Sequence, residues 1–106
     1  MGKEHPNIAT TYNNIAGVYD NQGKYDDALE YYEKGLAIYE KVLGKEHPNT
    51  ALAYNNIAYV NRAQGKYNLA LEYFQKALAI YEKVLGKEHP YTQETLRDLE
   101  STYKNI

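Results

Sequence analysis

Apolar residues recur along the chain at steps of three and four. Between residues 7 and 22, Ile8, Tyr12, Ile15, Ala16 and Tyr19 fall on one face of a helix. Between 25 and 43, Ala28, Leu29, Tyr32, Leu36, Tyr39, Val42 and Leu43 do the same. Gln22-Gly23-Lys24 and Gln64-Gly65-Lys66 interrupt the pattern, and Gly44 and Gly86 end the longer stretches. Glycine supplies the positive-φ residue at which helices stop. Pro48 and Pro90 suit a first helical turn, where a missing N–H leaves no bond unmade. Nothing alternates with period two over a useful length, and β-branched residues are few. The pattern predicts an all-α protein of five helices, at 7–22, 25–43, 49–64, 67–85 and 91–105.

The pattern also repeats. Gly2-Lys3-Glu4-His5-Pro6 returns as Gly44-Lys45-Glu46-His47-Pro48 and as Gly86-Lys87-Glu88-His89-Pro90, a period of 42 residues. The full units 2–43 and 44–85 match at 30 of 42 positions, and 86–106 is half of a third. A lone helical hairpin cannot bury its apolar stripe, whereas stacked hairpins bury it against their neighbours. A single domain over 1–106 follows, with two repeats and a C-terminal capping helix. In that last helix Leu96, Leu99 and Tyr103 are expected to pack inward. Glu100 stands where the full units have Ala16 and Ala58; with no helix following, a charge is tolerated there.

Composition changes this picture in two ways. The 106 residues hold 13 Tyr, one Phe and no Trp, so the mean hydropathy of −0.74 understates the core. A tyrosine ring buries a large apolar area while its hydroxyl stays wet. The net charge of −2, with 12 basic and 14 acidic residues and no basic stripe, argues against nucleic acid or an anionic membrane as partner. Cysteine is absent, which excludes disulfides, thiolate nucleophiles and zinc–thiolate sites. No apolar run approaches a membrane span, and Met1–Pro6 has no signal-like stretch, so a cytoplasmic location is expected.

The runs Tyr12-x-x-Ile15-Ala16-x-x-Tyr19 with Ala28-x-x-x-Tyr32, and Tyr54-x-x-Ile57-Ala58-x-x-Asn61 with Ala70-x-x-x-Phe74, resemble the tetratricopeptide repeat. The Tyr-Asn-Asn-Ile-Ala and Ala-Leu-Ala-Ile-Tyr-Glu-Lys-Val-Leu-Gly-Lys-Glu-His-Pro segments are similar to the 42-residue subclass of kinesin light chains and bacterial arrays. Glu40 and Glu82 replace the terminating proline of the shorter family unit, Asn61 replaces Tyr19 on an inward face, and Gly35 replaces Ala77. The resemblance implies an α-solenoid, a right-handed superhelix whose concave face, lined by the first helix of each repeat, binds peptides or partner proteins.

At 100° per residue, Thr10, Asn13, Asn14, Gly17 and Asn21 share a face opposite Tyr12, Ile15 and Tyr19. Their equivalents are Leu52, Asn55, Asn56, Tyr59 and Ala63, then Glu94, Arg97, Asp98, Ser101 and Asn105. Three of the five positions differ between the full units, against nine of the other 37, as expected if the scaffold is fixed and the stripe is free or tuned. Candidate peptide contacts are Asn13, Asn14, Gly17, Leu52, Asn55, Asn56, Tyr59 and Arg97. Amides both donate and accept, so a ladder of them pairs well with an extended backbone. The same four asparagines equally serve as consensus residues bonding neighbouring helices. Leu52 and Tyr59 form a Tyr–Leu patch that suits an anchor for a partner, and equally packing within a narrow groove or a self-association contact. The family's clamp for acidic chaperone tails needs Lys and Arg where this chain has Glu94 and Asp98, which favours a neutral or basic peptide.

His5, His47 and His89 each precede a helix-starting proline one repeat apart and do not converge as metal ligands. Asp26-Asp27 are first-turn acids favoured by the helix dipole. With no phosphate loop, nucleophile elbow or metal-ligand motif, neither enzyme nor cofactor is expected. The alternative to a binding module is a structural repeat scaffold without ligand, self-associating by end stacking or helix exchange.

Overall fold

The computed structural model describes residues 5–106, so the first Gly-Lys-Glu link at 2–4 and Met1 lie outside the described residues. Five helices follow in order: α1 (Pro6–Asn21), α2 (Tyr25–Val42), α3 (Pro48–Ala63), α4 (Tyr67–Val84) and α5 (Pro90–Tyr103). Each expected helix is present, within two residues at either end. The chain reverses at Gly23, Gly44, Gly65 and Gly86, all with φ between 77° and 98°. Backbone N–H groups of Lys24 and Gly44 reach back to the Tyr19 and Tyr39 carbonyls and close the helix ends.

The histidines have a definite task. In each first helix the imidazole Nδ1 accepts from the backbone N–H two residues on: Asn7 to His5 at 3.0 Å, Asn49 to His47 at 3.0 Å, Tyr91 to His89 at 3.1 Å. Each is therefore the N-cap of its helix, with the following proline at the first helical position.

The helices pack as successive neighbours, α2 between α1 and α3, α4 between α3 and α5. Helix α3 displays the logic of a first helix. One side, with Ala53, Ile57 and Val60, packs onto the preceding hairpin through Ala9, Ala16, Tyr32 and Ile38. The other side, with Ala51, Tyr54 and Ala58, packs onto α4 through Ala70, Phe74, Ala77 and Ile80. Small residues set the closest approaches within a hairpin. A Cβ on Gly35 would stand 3.1 Å from the Ala9 carbonyl oxygen and 2.8 Å from Asn13 Oδ1. Glycine at 35 thus makes room for the Asn13 amide.

Asn61 is buried and donates to the Ile57 carbonyl at 3.0 Å, the satisfaction a buried amide requires. The tyrosine rings enter the core as expected: Tyr32, Tyr39, Tyr54 and Tyr81 are buried. Three of their hydroxyls meet polar side chains, Tyr39 with Thr10 Oγ1 at 3.1 Å, Tyr54 with Glu40 at 2.5 Å, and Tyr81 with Asn55.

The capping helix departs from expectation. Tyr103 is 64% exposed and Leu96 only half-buried, while Thr92, Thr95 and Thr102 form the buried side of α5. Only Leu99 of the three apolar residues packs onto the Ala58–Phe74 cluster. The reason is the two-sided plan of a first helix: the Thr side faces the preceding hairpin, and Leu96 and Tyr103 face the side where α1 and α3 carry a partner helix.

Replacing His47 with Ala should lower the unfolding free energy by about 1 kcal/mol, the usual effect of removing an N-cap acceptor, while His47→Asp should restore it. Urea unfolding followed by circular dichroism measures both, and equal stability of all three chains would remove the capping assignment.

Candidate functional site

The stripe of first-helix residues leads to a hollow of about 360 Å³ between α3 and α5. Buried Asn55, Tyr81 and Thr95 form its floor. Tyr59 is half-buried on its wall, and Asn49, Leu52, Tyr91 and Glu94 stand exposed around it. Leu52 is 49% and Tyr91 56% exposed, so large apolar groups remain open to water beside a recess. The corresponding positions between α1 and α3 carry Thr10, Gly17 and Asn49 in place of Leu52, Tyr59 and Tyr91.

Three hydrogen bonds tie α5 to α3 beneath and beside this hollow. Asn55 Nδ2 donates to Thr95 Oγ1 at 3.0 Å, Arg62 donates to Thr102 Oγ1 at 3.2 Å, and the Tyr59 hydroxyl donates to the Asp98 carboxylate. Arg62 also lies over the rings of Tyr59 and Phe74, 5.2 and 5.6 Å from their centroids. Burial and the bond to Asp98 push the Tyr59 hydroxyl well above the usual tyrosine range. Tyr81 is pushed up to about 12, first by burial and then by Tyr91. Tyr54 reaches about 12 through burial and its bond to Glu40. These hydroxyls are protonated donors across the neutral range.

Of the eight residues singled out from sequence, the structure brings Leu52, Asn55 and Tyr59 to the hollow. Asn55 is buried and its amide nitrogen is engaged by Thr95; its Oδ1 is buried without a partner. Asn13 occupies the same place one repeat earlier, its Nδ2 donating to Tyr39 at 3.5 Å; Asn55 likewise bonds to Tyr81, and adds Thr95 where the earlier copy has Ala53. Asn14 and Arg97 are not buried and Asn56 is half-buried; none of the three lines the hollow. Asp98, at the position of Asn14 and Asn56, is drawn to Tyr59, which leaves Glu94 as the acid bordering the recess.

Gly17 belongs to a matched exchange. A Cβ there would lie 3.8 Å from the Tyr32 hydroxyl oxygen. In the second repeat Tyr59 replaces Gly17 and Phe74 replaces Tyr32, and the two rings meet edge to face at 5.3 Å and 78°. The hydroxyl occupies the space in one unit, the larger ring in the other.

Tyr81 and Tyr91 were not picked out from sequence. Tyr81 reads as core on a second helix, which it also is. Tyr91 differs from the Asn of both earlier copies, but so much of α5 departs from the second repeat that this divergence singles nothing out.

A family model for the tetratricopeptide repeat matches residues 7–83 and 50–104. The chain belongs to the tetratricopeptide repeat family. Solved structures agree with this. BtubC (BKLC) from P. vanneervenii is 26% identical, with a TM-score of 0.87 over 98% of this chain and 41% of that one. The nearly identical TPR-like repeats of a protein described as a kinesin light chain from Podosopora anserina are 28% identical, with a TM-score of 0.88 over 99% of this chain and 50% of that one. A singly substituted variant of the latter gives the same values. This chain thus spans half or less of the length of these proteins. No curated protein sequence matches it significantly. Tetratricopeptide repeats are in general protein-interaction scaffolds rather than catalysts, and this chain has that architecture. No helix among the described residues is long and apolar enough to cross a membrane.

Two measurements probe this geometry. Tyr54 and Tyr81 titrate near 12 when folded against an ordinary value of 10.0, so folding holds their protons more tightly. Their contribution is full below pH 10 and is lost as pH rises through about 12, so stability should fall steeply across that window and less so in Tyr54→Phe. Urea midpoints against pH test this. Gly17→Tyr alone should destabilise by crowding Tyr32, and adding Tyr32→Phe should recover roughly 0.5–3 kcal/mol as a coupling energy in a double-mutant cycle.

Proposed function

We propose that this protein is a non-catalytic binding module that holds an extended peptide segment of a partner protein in the hollow between α3 and α5. An apolar side chain of the partner packs among Leu52, Tyr59 and Tyr91, and a neutral or basic residue lies beside Glu94. The observation that carries this reading is the pair of large exposed apolar groups, Leu52 and Tyr91, beside one recess. Leu52 and Tyr59 are two of the twelve positions at which the full units differ, and both line that recess. Aromatic and aliphatic groups around a recess are the usual energetic centre of such contacts. The same reading treats residues 1–106 as one domain of two repeats and a closing helix, working in the cytoplasm without cofactor.

A peptide array tests it. Binders should be enriched in an apolar residue next to Lys or Arg rather than Asp or Glu. Leu52→Asp and Tyr91→Ala, both at exposed positions, should each weaken binding tenfold or more while leaving the helical circular dichroism intact. Glu94→Lys should shift preference toward acidic flanks. Binders unaffected by both Leu52→Asp and Tyr91→Ala would remove this hollow from consideration.

A further inference from the structure

The protein repeatedly sets a cation over a pair of aromatic rings drawn from two helices. Lys34 Nζ lies 5.8 Å from the Tyr12 ring centroid and 4.9 Å from that of Tyr31, and these two rings are 6.0 Å apart with planes at 39°. In the second hairpin Lys76 Nζ lies 5.6 and 5.2 Å from Tyr54 and Tyr73, themselves 6.0 Å apart at 34°. Arg62 covers Tyr59 and Phe74 in the same manner. In each case the electron-rich ring faces attract the positive charge.

A further pair joins α4 to α5. Tyr81 and Tyr91 have centroids 5.8 Å apart and planes at 52°. Both line the hollow between α3 and α5, and no lysine or arginine is among the described residues that line it. The His89 ring lies 4.8 Å from Tyr91 but outside that lining. Its Nδ1 accepts the Tyr91 backbone N–H, so the capping ring is the neutral form and brings no charge. Glu94 borders the same hollow and is exposed. Its field reaches the rings: burial is the first reason that the Tyr59 and Tyr81 hydroxyls hold their protons tightly, and the Glu94 carboxylate adds to it in both.

We propose that the Tyr81–Tyr91 pair is the seat of an arginine of the partner, whose guanidinium stacks on these rings and pairs with the Glu94 carboxylate. This rests on the reading of the hollow as a peptide site and names the basic residue that the site takes. Charge decides the sign of the occupant, since ring faces and a carboxylate attract a cation and the lining supplies none. Hydration decides its kind. Lys34 and Lys76 reach their rings from exposed positions, where an ammonium keeps its water, whereas Arg62 is half-buried. Tyr81 is only 3% exposed, so a cation seated over it gives up water. A guanidinium is more weakly hydrated than an ammonium, lies flat on a ring and meets a carboxylate with two N–H groups. The apolar side chain of the same partner keeps Leu52 and Tyr59.

The probes are three arrays of random decapeptides, each with a fixed central leucine followed by arginine, lysine or citrulline, applied to the full chain. Citrulline keeps the shape of arginine without its charge. The best arginine peptides should bind roughly tenfold or more tightly than their citrulline counterparts, and more tightly than their lysine counterparts. Tyr91→Leu should abolish this preference while the residual binding stays sensitive to Leu52→Asp. Tyr91→Phe, which keeps a ring face, should retain it, and Glu94→Gln should reduce it. Thermal melts establish that each variant is folded. Leu52-dependent binding that treats arginine and citrulline alike would overturn the seat and leave the hollow as a peptide site. So would an arginine preference that survives Tyr91→Leu. Equal binding of arginine and lysine peptides would overturn the guanidinium assignment. No binding, or binding indifferent to Leu52→Asp in all three arrays, would remove the hollow and the seat with it.

Discussion

The architecture depends on how closely two helices of a hairpin can approach. Ala9 against Gly35 and Ala16 against Ala28, repeated as Ala51 with Ala77 and Ala58 with Ala70, keep the two helices of each hairpin close, most tightly at Gly35. Close backbones bring Tyr32 and Phe74 into the interior and hold each first helix at the angle from which it can meet the next hairpin. Dense interiors of this kind respond to single methyl groups. The periodicity of 42 residues is the sequence-level trace of that fixed spacing.

A first helix must satisfy two neighbours, and its two sides answer to different rules. On α3 one side belongs to its own partner helix and one to the preceding hairpin, so little of the surface is free to vary. What remains is the strip that reaches Leu52 and Tyr59. The hollow next to α5 arises there because its floor is held by bonds independent of any ligand: Asn55 to Thr95, Tyr59 to Asp98 and Arg62 to Thr102. A recess braced in this way is preformed, which reduces the ordering that binding would require.

Helix type, number and order were legible in the sequence because period, glycine ends and helix-starting prolines all agree, and agreement across levels is what makes a fold readable. The strip carrying Leu52 and Tyr59 was legible from divergence between copies. The role of Asn55 was not. Asn13 and Asn55 look identical in sequence and both reach the second-helix tyrosine, Tyr39 or Tyr81, yet Asn55 also bonds to Thr95 of the following first helix, where the earlier copy has Ala53. Likewise Tyr103 matches Tyr19 in a sequence alignment, but its surroundings depend on a helix that α5 does not have beside it. Residues whose environment is supplied by another repeat cannot be placed from their own repeat alone.

The exchange of Gly17 and Tyr32 for Tyr59 and Phe74 has a consequence for inheritance. The pairs Gly17–Tyr32 and Tyr59–Phe74 each lie within one hairpin, so exchange of whole hairpins keeps each contact intact. A crossover falling between the first and second helix of a unit would unite the tyrosine of one copy with the tyrosine of the other, and leave two rings and a hydroxyl contending for one space. Selection against such chimaeras would let twin hairpins drift apart in their grooves while their outward plan stays the same.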